Sequence, residues 1–335
     1  MTDQLLPPKK VIDMSNAPCV SENITEAFDA TGYYLWMLDF RSIYNKIANS
    51  LPPRNTSFPD LSIENIIGCE VVCAAICHQI NWDFLRNAVY EMTIEDSTWL
   101  YPKNLSKITS VKVLQLLGNY NKPERIREKE RCSLLRSLGS SLSELGYNYW
   151  DIFFSADSVI RNSDEILHVL NLAKAFSGDP EGKKTQLLLQ NLSEYEAFSK
   201  LSAYCKPAID YHIIREFLRR GLVKPTNQKA YDFIFNPDIQ RKELTVAALR
   251  KICSDVFYTL QWITSLDIMT INTIEWWIGR SVCLKESPDC ELNGDSSQWL
   301  KSIFDKCPFY ESCYAIKADS KFINIVEPNY QGKSY

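Results

Sequence analysis

Residues 62–92 read SIENIIGCEVVCAAICHQINWDFLRNAVYEM, and their apolar side chains recur at helical spacing with no strand-like alternation. One break is expected, near Gly68 or Asn81, so the stretch predicts two helices. Cys69, Cys73 and Cys77 recur every fourth residue, which puts them on one helix face as small apolar core side chains.

Working outward, the same period predicts helices at Tyr33 to Ala48, Ser110 to Gly118, Pro123 to Leu145, Ser163 to Ala175, Gly182 to Phe198, Asp210 to Gly221, Glu243 to Leu266 and Ile271 to Val282. Pro52, Pro53 and Pro59 forbid continuation of the first of these. Residues 1–27 are polar and interrupted by Pro7, Pro8 and Pro18, and read as an N-terminal tail. No repeat or low-complexity tract occurs, and SPDCELNGDSSQ, residues 287–298, is turn-rich. The fold class is therefore all-α.

Composition narrows the function classes. At 335 residues the chain can bury a large core. The start lacks a basic flank followed by an apolar stretch, and no run approaches 18 apolar residues, so a soluble intracellular protein of cytoplasm, nucleoid or nucleus is expected, with no membrane partner. Eleven cysteines in such a chain argue for thiols, metal ligands or core packing over disulfides. The net charge of −4 and pI of about 5.6 are not the footprint of a tight non-specific DNA binder. Local basic character is nevertheless concentrated in Lys174, Lys183, Lys184, Arg215, Arg219, Arg220 and Lys224, either as a patch or as a solvated helix face.

Three constellations carry chemistry. Gly182-Lys183-Lys184-Thr185 is a glycine turn entering an apolar helix, where free backbone amides can hold a phosphate, although any solvated helix start looks similar. In AIDYHIIREFLRRG, residues 208–221, Asp210 precedes a helix whose apolar face is Ile213, Ile214, Phe217 and Leu218. There it is an N-cap, and a capped carboxylate is also a positioned one. Cys283, Cys290, Cys307 and Cys313 form the third set, separated by six, 16 and five residues. Four thiolates gathered by turns suit a [4Fe-4S] iron–sulfur cluster or zinc, and four scattered core cysteines are the alternative. His78, His168 and His212 make no ligand pattern.

These three runs occur together in the order found in the helix-hairpin-helix base-excision DNA glycosylase superfamily, and the chain resembles endonuclease III and the adenine glycosylases over residues 160–316. GKKT resembles the hairpin end that carries the family's catalytic lysine, which falls on Lys184. AIDYHIIR resembles the segment with the catalytic aspartate, which falls on Asp210. EWWIGRSVC resembles the helix leading into the cluster loop, and CPFYESCYA its last ligand pair. The outer cysteine spacings follow the family and the middle one is longer. The hairpin, FSGDPEG, is also longer than the family's. HQINWDFL resembles a glutamine-bearing helix, with Gln79 as its glutamine. The resemblance extends more distantly to the queuosine nucleotide N-glycosylases, through Asp210-Tyr211 and the helix that follows.

The resemblance implies two helical lobes, one of residues 28–60 with 185–335 carrying the aspartate and the cluster loop, the other of residues 61–184 ending in the hairpin. It implies an N-glycosylase acting on a damaged or modified base in DNA, with possible AP lyase activity, and no obligate protein partner. Lys184 would attack the anomeric carbon of a flipped nucleotide as a neutral amine, which asks for roughly 3 to 4 kcal/mol of ammonium destabilisation. Asp210 would stabilise the sugar cation, and Gly182, Lys183, Thr185, Gln79 and His212 would line the substrate. The cluster would be structural, with zinc the alternative, and Lys285, Lys301 and Lys306 would reach DNA. Two other functions fit the same residues: release of a modified base from a free nucleotide, and an inactive iron–sulfur protein that binds nucleic acid.

Overall fold

The computed structural model describes residues 28–30, 40–52, 61–155, 160–179, 182–235 and 243–325. The expected tail at residues 1–27, and residues 33–39 of the first expected helix, lie outside them. The chain is mainly helical. Its longer elements are β1 (Phe28–Ala30), α1 (Phe40–Ala48), α2 (Ile63–Ile76), α3 (Trp82–Glu95), α4 (Ser110–Leu117), α5 (Glu128–Leu145), α6 (Ser163–Asn171), α7 (Lys183–Ser193), α8 (Tyr211–Arg220), β2 (Val223–Pro225), α9 (Gln228–Phe235), α10 (Glu243–Thr264) and α11 (Ile268–Ser281). Among the described residues, no helix is long and apolar enough to cross a membrane.

The helices separate into two compact units, the described residues of Pro53–Ala208 and those of Met1–Pro52 with Ile209–Tyr330. The boundary falls after Ala208, not after Lys184 as the resemblance implied. The reason is local: α7 packs along α2, and the 3-10 segment Glu196–Tyr204 folds back on α7, so both stay with the first unit.

In the Pro53–Ala208 unit, α2 is the central helix. Every residue from Ile66 to Ile76 is buried, including Glu70, which pairs with Arg86 at 2.8 Å and accepts from Tyr90, and α3, α5 and α7 surround the helix. Ser62 caps its start and Asn81 caps α3, so the break lies at residues 77–81. Gly68 is no break. A Cβ there would meet the Tyr149 ring at 3.0 Å, so the missing side chain admits that ring. The buried Arg131 of α5 donates to the carbonyls of Ile76, His78 and Arg125, fixing the C-terminus of α2 and the turn beyond it.

In the other unit, β1 and β2 pair antiparallel, with Phe28 opposite Pro225. Helix α8 packs on α10 and α11, and α1 covers the same pair. The apolar face of α8 is buried as its spacing demands, through Ile213, Ile214, Phe217 and Leu218. Burial also includes charge: Arg220 contacts both Glu216 and Glu275 at 2.7 Å, and Tyr44 donates to Glu275.

Candidate functional site

The site is built on α8. Asp210 is buried and its Oδ1 accepts the amide of Ile213 at 3.1 Å, the N-cap contact that satisfies one first-turn donor and fixes the carboxylate. His212, half-buried, lies tilted at 39° against the Tyr211 ring, with the ring centroids 4.2 Å apart. Its Nδ1 lies 3.0 Å from Arg215 Nη2, and because a guanidinium only donates, the neutral imidazole carries its proton on Nε2. Arg215 Nη2 also donates to the carbonyl of Gly279 at 2.6 Å. Glycine is needed there, since a Cβ would come within 2.9 Å of the His212 carbonyl oxygen. The Gly279-Arg280 pair thus brings α11 against the first turn of α8.

The basic patch expected around Arg215, Arg219 and Arg220 is not a surface feature. These side chains are 2%, 1% and 4% exposed. Each is turned inward by acceptors remote in sequence: Arg215 by Cys283 and Gly279, Arg219 by Leu284, Lys285 and Ile323, and Arg220 by Glu275, with Glu216 one turn away on the same helix. Lys224 lies over the Tyr314 ring at 4.0 Å.

The C-terminal end of α8 carries the cysteine loop. Arg219 Nη1 is 3.6 Å from Cys283 Sγ, and the Arg219 carbonyl accepts from Cys313 Sγ at 3.5 Å. Gly221 closes α8 in the left-handed conformation at φ 75°, where a Cβ would meet Tyr314 Cβ at 2.7 Å. The long middle spacing is absorbed by an ordered excursion. Cys307 N donates to Cys290 O at 2.8 Å, closing its neck. Residues just before it hold it: Asp289 accepts the amides of Asn293 and Gly294 at 2.9 and 2.8 Å, and Trp299 Nε1 donates to Ser281 Oγ at 3.1 Å.

All four cysteines are half-buried free thiols. Burial first, and then the charge of the other members, raises Cys290 to about 11 and lifts Cys307 and Cys313 above the ordinary thiol range. The thiols thus feel one another's charge, and Cys290 and Cys313 also feel the buried Arg219 and Arg220. Among the described residues, no three or more His, Cys, Asp or Glu are grouped so that they could hold a metal ion. Lys285, Lys301 and Lys306 are exposed on this loop, Lys301 on Asn293 and Lys306 near Glu291.

The run from Gly182 to Thr185 lies in the other unit. Gly182 is left-handed at φ 62° and precedes α7. The buried Asp179 accepts the amide of Lys184 at 2.7 Å, so the helix start already faces a carboxylate. Lys183 is half-buried and Thr185 buried; Pro180 and Glu181 lie outside the described residues. Lys184 is 1% exposed, and its Nζ donates to the carbonyls of Ala75 and Ala175, both at 3.0 Å. Burial lowers its pKa, which a nucleophilic amine requires, but the same burial removes it from solvent. Gln79 is in the turn between α2 and α3, with φ 56°, and not on a helix.

Sequence reasoning missed Asp179 and the inward roles of Arg215 and Arg219. The signal for Asp179 was an acid just ahead of a glycine-led helix start; nothing local marked the arginines. The chain matches no known family model, and no curated protein matches it.

Proposed function

We propose that the chain is an N-glycosylase of the helix-hairpin-helix kind, holding a [4Fe-4S] cluster on Cys283, Cys290, Cys307 and Cys313 and removing a damaged or modified base from DNA. The observation that carries the reading is the double use of α8. Its first turn fixes the Asp210 carboxylate and the His212 ring, and its last turn binds the cysteine loop through Arg219 and Gly221. The ten residues of α8 span about 15 Å, so the loop and the carboxylate share one rigid strut.

In this reading Asp210 stabilises the developing sugar cation and accepts a proton from attacking water. His212, with Nδ1 toward Arg215, presents an Nε2 proton for the departing base. Two carbonyls on Lys184 Nζ favour water over the lysine as nucleophile, so hydrolysis without strand nicking is expected. The cluster, when bound, supplies a structural tie for the loop.

Asp179 at the start of α7 favours a second reading. A carboxylate at these amides repels a DNA phosphate, and release of a base from a free nucleotide fits the acidic chain as well.

The test is base release by anaerobically purified protein from duplexes bearing damaged bases and from modified nucleotides, beside Asp210→Asn. Asparagine keeps the cap, so folding survives while release falls about 100- to 10,000-fold. Release from nucleotides only would select the second reading. No release from either panel by the cluster-loaded protein would overturn the enzyme reading.

A further inference from the structure

In the Pro53–Ala208 unit, an open cleft of about 470 Å³ runs beside α5. Lys129, Ser133, Arg136, Ser137 and Ser140 lie at helical spacing along one stripe of α5 and line it. Ser110, the first residue of α4, lines it from the positive end of that helix. Lys174 enters from the short helix Lys174–Ser177, its amide donating to Ser137 Oγ at 3.0 Å.

The chemistry of this lining is one-sided. Three cations and four hydroxyls face the cleft, and no carboxylate lines it. Among the described residues, none of Lys129, Arg136 and Lys174 forms an ion pair. The neighbouring acid Glu130 turns away, 2.6 Å from Arg127. Arg136 is held in place by donation from Nε to the Ile108 carbonyl at 2.6 Å, which fixes the guanidinium plane. A chain of net charge −4 that gathers three unpaired cations beside hydroxyls and a helix N-terminus has assembled what an anion with several acceptor oxygens needs.

We propose that this cleft binds phosphate groups, with Lys129, Arg136 and Lys174 neutralising the charge and Ser110, Ser133 and Ser140 donating to the oxygens. The phosphate comes either from a nucleic-acid backbone or from a free phosphorylated molecule. The site goes beyond the proposed catalysis, since it is distant in sequence from Asp210 and uses none of the residues assigned to base removal.

The test uses the full chain, undamaged duplex DNA and inorganic pyrophosphate, neither of which requires base release, so failure of the glycosylase reading leaves it intact. The Lys129→Gln/Lys174→Gln double variant changes only exposed side chains and keeps the Arg136 anchor, with exposed Lys200→Gln as control. If the source is a backbone, the slope of log affinity against log salt becomes shallower by about 2 in the double variant and is unchanged in the control. If the source is a free phosphorylated molecule, calorimetric pyrophosphate binding weakens several-fold in the double variant while the duplex slope holds. Unchanged binding of both probes would overturn the proposal.

Discussion

The guanidinium of Arg219 reaches Cys283, with Nη1 3.6 Å from its sulfur, while Nη1 and Nη2 also bond the carbonyls of Leu284, Lys285 and Ile323. One planar fork thus joins the first cysteine of the loop to the two residues after it and to Ile323 beyond the loop. A lysine carries the charge but cannot span these acceptors. Arg219→Lys is expected to cost about 1.5 to 3 kcal/mol, read by denaturant unfolding, and, if the loop holds the proposed cluster, to lower iron bound per chain, read by iron and sulfide analysis. Full iron content in a normally stable variant would remove Arg219 from the loop's support.

Gly279 gives the second prediction. Alanine there brings a Cβ to 2.9 Å from the His212 carbonyl, a backbone atom that gives only if α8 and α11 separate. Gly279→Ala is expected to cost about 1 to 3 kcal/mol. Under the proposed function, base release should fall further than stability, because the displaced turn is the one that Asp210 caps. Activity per folded molecule, measured below the unfolding midpoint, separates the two effects.

The third concerns Glu216, which burial first and the charge of Glu275 second hold above the usual carboxylate range, against the pull of Arg220. Below the unfolded value of about 4.3, both states bind the proton. As pH rises above it, the unfolded chain ionises while the folded one resists, so this residue's contribution to stability is lost toward the folded pKa. Glu216→Gln should therefore gain on the wild type as pH increases through that window, measured as the difference in Tm. Arg220→Leu leaves buried carboxylate uncompensated and is expected to cost about 3 to 5 kcal/mol. A Tm difference for Glu216→Gln that is flat with pH would show that Glu216 is ionised in the folded state.

These residues also mark how far the sequence could be read. Helix period identified α2, α3, α5 and α8, because burial of one face or of the whole helix is written into residue order. Asp210 was legible as a cap because its partner amide is three residues away. Gly68 suggested a break because a glycine in isolation does not reveal that Tyr149 needs its space. Arg215, Arg219 and Arg220 looked like a basic patch or a solvated face because acceptors such as Gly279, Lys285 and Glu275 are remote in sequence. The spacing between Cys290 and Cys307 could not reveal that one backbone bond closes it.

Lys184 allows a direct separation of roles. With Nζ on the carbonyls of Ala75 and Ala175, it ties α7 to α2 and to the short helix before the turn. Lys184→Met keeps the apolar stem and removes the donor, so it is expected to cost about 1 to 3 kcal/mol. If water is the nucleophile, base release per folded molecule survives and borohydride traps no adduct with an abasic duplex. An adduct in the wild type that vanishes in Lys184→Met would return the lysine to the chemistry and require α7 to shift when substrate binds.

The last prediction concerns Asp179, whose carboxylate takes the amide of Lys184 that a phosphate would otherwise use. Two effects oppose each other in Asp179→Asn. The cap weakens slightly, by a few tenths to about 1 kcal/mol, since asparagine still accepts from the amide. The negative charge disappears from the positive end of α7, where it stands against any approaching anion. If DNA passes this helix start, affinity for undamaged duplex rises in Asp179→Asn and the gain shrinks as salt is added, because screening weakens the repulsion in the wild type too. If the substrate is a free nucleotide bound elsewhere, duplex affinity does not respond and only the small loss of stability appears. The sign of the affinity change therefore separates the two substrate classes without knowledge of the target base.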